Sequence, residues 1–408
     1  MRRLVIVSLA LGLSASPALA APVCDGVNGY SAAFDGRRTF GWSPERLKSF
    51  KAKGPAAPAV AKVIKDADKA LKAGPWSVTY KTRTPPSGDK HDYMSMGPYW
   101  WPDPAVPGGE PYIRRDGQVN PERATDAFDR TAVTRMADAV EALSLAYYFT
   151  GNKAYAERAA LILHVWFLDP QTWMNPNVSF GQGVPGRTKG RAEGLIDMEN
   201  LIGVVEGVGL LGPSGVLTAQ DTAGLKQWFS DMADWFVNDP LGKEEAAALN
   251  NHAVHYDHQL LTYALFADRP DLARQVATDF TRRIDAQIAP DGSQPRELER
   301  TRSQHYSYTN LSAMIDIAAL SRCVGIDLWA HKGPQGQSLR TAVDFHAAFA
   351  GDAKPWAWKE ISPEPEMVYQ MLLKAAAATN DTVLASKAET YAAQHGERRF
   401  VLRDGPAF

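Results

Sequence analysis

Residues 145–159 read LAYYFTGNKAYAERA. The first six end an apolar run at helical spacing, Gly151-Asn152 makes a short polar turn, and a second helical pattern resumes at Tyr155. This is a helical hairpin in outline. The same scheme returns at Ala267-Asp268, between YALF (263–266) and LAR (272–274), and again at Asn380-Asp381. The three turns are about 115 residues apart, a spacing that suggests stacked hairpins with diverged pairs between them. Apolar residues recur every three or four positions in 128–149, 155–167, 225–237, 246–266 and 311–320, and strand-like alternation is scarce. The expected fold is therefore all-α: one α/α toroid of antiparallel hairpins over residues 21–408. Proline and glycine set apart 84–88, 101–111 and 175–190 as long loops, where functional side chains concentrate.

Residues 1–20 have the layout of a secretory signal, with Arg2 and Arg3, an apolar core at 4–13 and Ala18-Leu19-Ala20 before the cut. The expected location is periplasmic or secreted. The apolar core is too short to span a bilayer and no later uncharged run of about eighteen residues follows, so no membrane partner is expected. The 408-residue chain has 44 Lys+Arg against 46 Asp+Glu, a balance that argues against nucleic acid as a bulk electrostatic partner. It leaves room for a local basic cleft, for which Arg187, Lys189, Arg191, Arg296, Arg300 and Arg302 offer material. Export permits a disulfide between the only two cysteines, Cys24 and Cys323. The alternative is Cys323 as a small buried apolar residue on a helix, with Cys24 on an N-terminal arm.

Two segments carry the chemistry. NNH (250–252) opens a helical stretch, and RELERTRSQHY (296–306) follows about fifty residues later. Between them they supply an amide, an imidazole, guanidinium groups and a phenol. That set suits β-elimination from a uronic acid, because the proton on C5 is barely acidic until donors neutralise the neighbouring carboxylate and stabilise the aci-carboxylate. A phenol beside a guanidinium is expected to have its pKa drawn down from about 10 toward working pH, fit to move the protons. On the helix, Asn251, His255, His258 and Thr262 share one face. His255 and His258 are one turn apart, but without an acid-bearing HExxH pattern the pair is a weak metal signal, and no cofactor is expected. A third segment, GDKHDYMSMGPYWWP (88–102), puts three aromatics beside prolines, where they either wedge a loop or stack on sugar faces.

These motifs, GDKHDYMS (88–95) with PYWWP (98–102), NNH (250–252) and DGSQPREL (291–298) through Tyr306, resemble the polysaccharide lyases of the alginate-lyase type, including relatives that act on glucuronan. The resemblance spans roughly 90–311, and its order and spacing make it more specific than any one motif. It implies an incomplete α/α toroid with a long cleft, with catalytic residues Asn251, His252, Arg300 and Tyr306. The interval from Arg300 to Tyr306 is one residue shorter than in the better-known alginate lyases, so Arg302 and Arg296 stand as alternatives to Arg300. Substrate contacts are expected from Lys90, His91, Tyr93, Tyr99, Trp100, Trp101, Arg191, His255, Arg296, Arg302 and His305.

The implied partner is an acidic polysaccharide, poly-β-D-mannuronate as in alginate or β-1,4-glucuronan. Asn251, His252 and Arg300 would hold the carboxylate and Tyr306 would serve as base and acid, since in both sugars the C5 hydrogen and O4 lie on one ring face. An α-L-guluronate unit would need a base on the opposite face, for which His252 is placed. The two β-uronates differ only at C2, and the choice falls to groups such as His91, Tyr93, Arg191 and Glu193. Two other classes compete. An inverting glycoside hydrolase would use two carboxylates from Asp197, Glu193, Glu297 and Glu299; a non-catalytic glycan-binding protein would need neither acid nor base.

Overall fold

The computed structural model describes residues 34–350, 354–364 and 366–395. Residues 1–20, expected to be a secretory signal, and Cys24 lie outside the described residues. Cys323 is buried and disulfide-bonded, so it is not the free apolar thiol of the alternative reading.

The quoted hairpin forms as its sequence dictates. Helix α3 (Arg130–Thr150) stops at Gly151, whose φ of 72° lies in the left-handed region that glycine enters without steric cost. Asn152 then caps α4 (Lys153–Leu163) by accepting from the Ala154 amide at 3.1 Å. The other two turns use the same device, with Asp268 at φ 56° and Asn380 at φ 53°. They join α8 (Asn251–Phe266) to α9 (Pro270–Asp279) and α14 (Glu366–Thr379) to α15 (Thr382–His395).

Helices pack in sequence around the toroid. Before α3 come α1 (Pro44–Lys53) and α2 (Pro58–Ala70); between α4 and α8 come α5 (Leu201–Leu211), α6 (Ala219–Asn238) and α7 (Pro240–Ala246). After α9 follow α10 (Thr281–Gln287), α11 (Pro295–Leu298), α12 (Ser303–Ser321) and α13 (Leu339–Ala347). α3 packs on α2 and α5, α5 on α8, α8 on α12, and α12 on α14. A chain of touching rings, Phe167, Trp228, Phe229, Tyr263, Phe236 and Tyr256, ties α6 to α8 through the core.

Two expectations need adjustment. The apolar pattern at 246–266 ran two helices together: α7 ends at Ala246, and Asn250, with φ −129° and ψ −165°, is the N-cap of α8. Helix α12 begins at Ser303, well before 311, because its first turns bury polar side chains that an apolar count misses. The long loops also pair locally. β1 (Met94–Met96) lies parallel to β4 (Phe180–Gly183), and β2 (Trp100–Trp101) antiparallel to β3 (Ile113–Arg114).

A buried amide network sets the distance between α8 and α12. Gln287 Nε2 donates to the Asn250 carbonyl at 3.0 Å, and Gln294 Nε2 donates to the Ser307 carbonyl at 3.0 Å. Both ends are acceptors only, so each glutamine turns its oxygen inward, and Asn310 Nδ2 donates to both, at 3.0 and 2.8 Å. Such a chain has one polarity and holds the start of α8 against the first turns of α12.

The N-terminal segment is pinned more simply. Arg38 donates its amide to the Gly209 carbonyl at 3.2 Å, and a Cβ at Gly209 would collide with the Arg38 carbonyl oxygen. Gly209→Ala should therefore lower stability by about 1–3 kcal/mol. A denaturant midpoint unchanged from the parent would contradict this close approach.

Candidate active site

Asn251 occupies the first position of α8, where backbone N–H groups have no partner within the helix. Its amide N and its Nδ2 both donate, at 2.7 Å each, to the two oxygens of Glu297 on α11. Asn251 and Glu297 are 2% and 1% exposed. His252 is next, one-fifth exposed, with Nδ1 at 2.7 Å from Glu245 Oε1. A carboxylate only accepts, so Nδ1 carries a proton toward Glu245, and Nε2 is the ring nitrogen left for a substrate, an acceptor in the imidazole form and a donor in the imidazolium form. Burial pushes both Glu297 and Glu245 above the ordinary carboxylate range, against the pull of these same hydrogen bonds.

Tyr306, on the first turns of α12, is almost buried, and its hydroxyl shares a 2.6 Å hydrogen bond with the Tyr99 hydroxyl. The Arg300 guanidinium lies 3.8 Å from the centre of the Tyr306 ring, a close cation–π contact. The phenol does not behave as the sequence suggests. Burial raises the Tyr306 pKa, and the opposing pull of Arg300 does not overcome it. Arg300 is further tied to Asp116, Nη2 to Oδ1 at 3.0 Å, and Asp116 also accepts from Thr301 at 2.9 Å. Glu297 completes the set: Asn251, Arg300 and His252 all draw its pKa down, and burial outweighs them.

Of the three arginine alternatives, Arg302 is committed to Glu364, which also meets His305 Nδ1 at 3.1 Å, and Arg296 is exposed on α11. Arg300 is the one that touches Tyr306. Trp100 lies beneath Arg187 and Arg191, at 5.3 and 5.9 Å, and Trp101 beneath Arg115 at 5.4 Å. Arg191 donates to Glu193 at 2.7 Å and to the backbone and side-chain oxygens of Gln182 at 2.9 Å each. Lys90 is exposed, and His91 Nδ1 meets the Trp173 carbonyl at 2.7 Å. Tyr93 is fully buried with its hydroxyl on Asp197 at 3.0 Å, so it supports β1 from behind and has no surface for a sugar.

His255 is buried one turn below His252 and pairs with Glu199 at 2.8 Å; His258 Nδ1 lies 4.0 Å from the same carboxylate. Burial disfavours charge on both partners of the first pair, yet their contact wins: His255 is raised and Glu199 is lowered to about 2. Among the described residues, no cluster of three His, Cys, Asp or Glu side chains has the arrangement of a metal site. No helix among them is long and apolar enough to cross a membrane.

Sequence reasoning missed Glu245 and Asp116 altogether and weighed Glu297 only as a hydrolase acid. Glu297 stands inside the quoted motif. Glu245, seven residues before His252 and across a helix break, and Asp116, 184 residues from Arg300, have no local signal.

Residues 77–356 match the family model described as alginate lyase. The crystal structure of an alginate lyase from Bacteroides ovatus is similar over 90% of this chain and 99% of that one, with 38% identity and a TM-score of 0.86. Alginate lyase A1-III from Sphingomonas species A1, solved as a variant complexed with a tetrasaccharide, shares the fold at 15% identity and a TM-score of 0.52, over 83% of this chain and 87% of that one. A search of curated proteins found no match.

The geometry makes a direct prediction about Tyr306. With tyrosine labelled at Cζ and the resonance assigned by its loss in Tyr306→Phe, ionisation should occur above the ordinary phenol value of about 10. It should move higher still in Arg300→Met. Titration below that value would mean that Arg300 outweighs burial after all.

Proposed function

The chain belongs to the alginate lyase family, and from that footing we propose that it is a polysaccharide lyase cleaving a 1,4-linked β-uronan by β-elimination. The observation that carries this reading is the meeting of Arg300, Tyr306 and Tyr99, with Glu297 and Glu245 holding Asn251 and His252. Donors and a proton carrier are what elimination needs. The substrate carboxylate takes hydrogen bonds from Asn251, from Arg300 and from Nε2–H of His252 in its imidazolium form, with Glu245 on the other ring nitrogen as counter-charge, so that charge developing at C5 meets fixed positive groups rather than water. Tyr306 accepts the C5 proton as the phenolate and returns it to O4 as the C4–O bond breaks, leaving a C4–C5 double bond. Arg300 over the ring stabilises the phenolate, while burial and the neighbouring Tyr99 hydroxyl keep it scarce in the resting enzyme.

The polymer is poly-β-D-mannuronate, as found in alginate, or glucuronan, both of which present H5 and O4 to the same residue. Similarity to the Bacteroides ovatus protein, an alginate lyase, favours the first. Trp100 with Arg187 and Arg191, and Trp101 with Arg115, offer stacking and charge to neighbouring sugar units. Residues 1–20, read as a secretory signal, support a location outside the cytoplasm, where such polymers occur.

The hydrolase reading needs two acids and keeps only Glu299, which is exposed, of its four candidates. Asp197 is buried against Tyr93, Ser95 and Arg130, Glu297 is spent on Asn251, and Glu193 is paired with Arg191.

Purified protein should release products with conjugated unsaturated uronate ends, seen by ultraviolet absorbance, from polymannuronate or glucuronan, with polyguluronate the poorest substrate. Saturated ends alone would refute a lyase. Turnover should rise with pH on the alkaline side, as the Tyr306 phenolate fraction grows. Tyr306→Phe should lower kcat at least about a hundredfold with KM little changed. A folded variant with near-normal kcat would remove Tyr306 from the mechanism.

A further inference from the structure

Glu297 is spent entirely within the protein: both oxygens take hydrogen bonds from Asn251, and the residue is 1% exposed. It is therefore no acid or base for substrate. We infer that Glu297 is a positioning residue, whose carboxylate decides which end of the Asn251 amide presents its N–H to the substrate carboxylate. This rests on the reading above, in which Asn251 is one of the neutralising donors.

The argument is one of donor and acceptor inventory. An asparagine amide is nearly symmetric in shape, and its two orientations differ only in which end donates. Beside a carboxylate, the end that touches it must be Nδ2, since an amide oxygen there would face a second acceptor. The backbone N–H of the same residue takes the other carboxylate oxygen, and this two-point contact fixes the side chain to the start of α8. Glu297 uses one of the two Nδ2 hydrogens, and the second remains for a substrate. Helix α11, which carries Glu297, is itself held by Gln294 through the amide network to Asn310 on the Tyr306 helix. The donor orientation is thus referenced to the proton carrier.

Glu297→Gln keeps the volume and changes the inventory. If glutamine accepts the backbone N–H with its oxygen, its own NH2 faces Asn251 and turns the amide over, moving the free N–H to the other end of the group. Misplacement of a positioned group by about 1 Å can cost about a hundredfold in rate.

The test is a double-variant cycle of Glu297→Gln and Asn251→Ala, measured as initial rates of double-bond formation on polymannuronate or glucuronan, whichever the parent cleaves faster. Glu297→Gln should lower kcat by at least about tenfold, with KM within about threefold and a melting temperature close to that of the parent. In the Asn251→Ala background it should have no further effect, because its route to the chemistry is gone. Multiplicative losses would overturn the inference and leave Glu297 a packing residue; so would a Glu297→Gln enzyme within about twofold of the parent while Asn251→Ala is inactive. Normal turnover in Asn251→Ala would instead overturn the assignment of Asn251, and with it this proposal. Should Glu297→Gln fail to fold, Glu297→Asp, still acceptor-only but one methylene shorter, runs the same cycle: a loss that vanishes in the Asn251→Ala background supports the inference, and multiplicative losses overturn it.

Discussion

Two carboxylates buried at the start of one helix constrain the rest of the site. Glu245 and Glu297, 2% and 1% exposed, sit where charge is expensive, and each is tolerated because it takes strong hydrogen bonds from one neutraliser. Remove the partner and an uncompensated buried charge remains; keep it, and the imidazole tautomer and the amide orientation are both decided. The helix break between α7 and α8 now has a purpose. It lets Glu245 fold back onto His252, seven residues on, which a continuous helix would not place in this contact.

The other half of the site is assembled from a distance. The β2–β3 hairpin and its flanks bring Tyr99 to the Tyr306 hydroxyl and Asp116 to Arg300, contacts that close over more than 180 residues of chain. The Arg115 amide donates to the Tyr99 carbonyl at 2.7 Å, so the two strands arrive as one piece. Tyr306 is consequently a phenol enclosed on both sides. Its environment, Tyr99 included, favours keeping the proton, and stabilisation of its anion falls to Arg300. The polar network through Gln287, Asn310 and Gln294 then sets this half against the first.

Much of this was legible in the chain. Helical hairpins followed from LAYYFTGNKAYAERA (145–159) and its two echoes, because a left-handed Gly, Asp or Asn after an apolar helix is a local event with a local signature. NNH (250–252) and the run to Tyr306 marked the segments that meet. What stayed hidden is long-range or polar. Asp116 and Glu364 are ordinary acids in loops until the fold sets them on Arg300 and Arg302. The early start of α12 was missed because Ser303, Ser307 and Asn310 are buried without being apolar. The expected lowering of the Tyr306 pKa failed because a motif shows the neighbouring charge and not the burial that opposes it.

The most direct test of this account is a crystal structure of the Tyr306→Phe variant with a β-uronate tetrasaccharide. The account predicts one sugar carboxylate within hydrogen-bond reach of Asn251 Nδ2, His252 and Arg300, with C5 and O4 of that unit turned to the position of the missing hydroxyl. A carboxylate bound instead at Arg302 and His305, with Asn251 and Glu297 undisturbed and the ring far from residue 306, would contradict it.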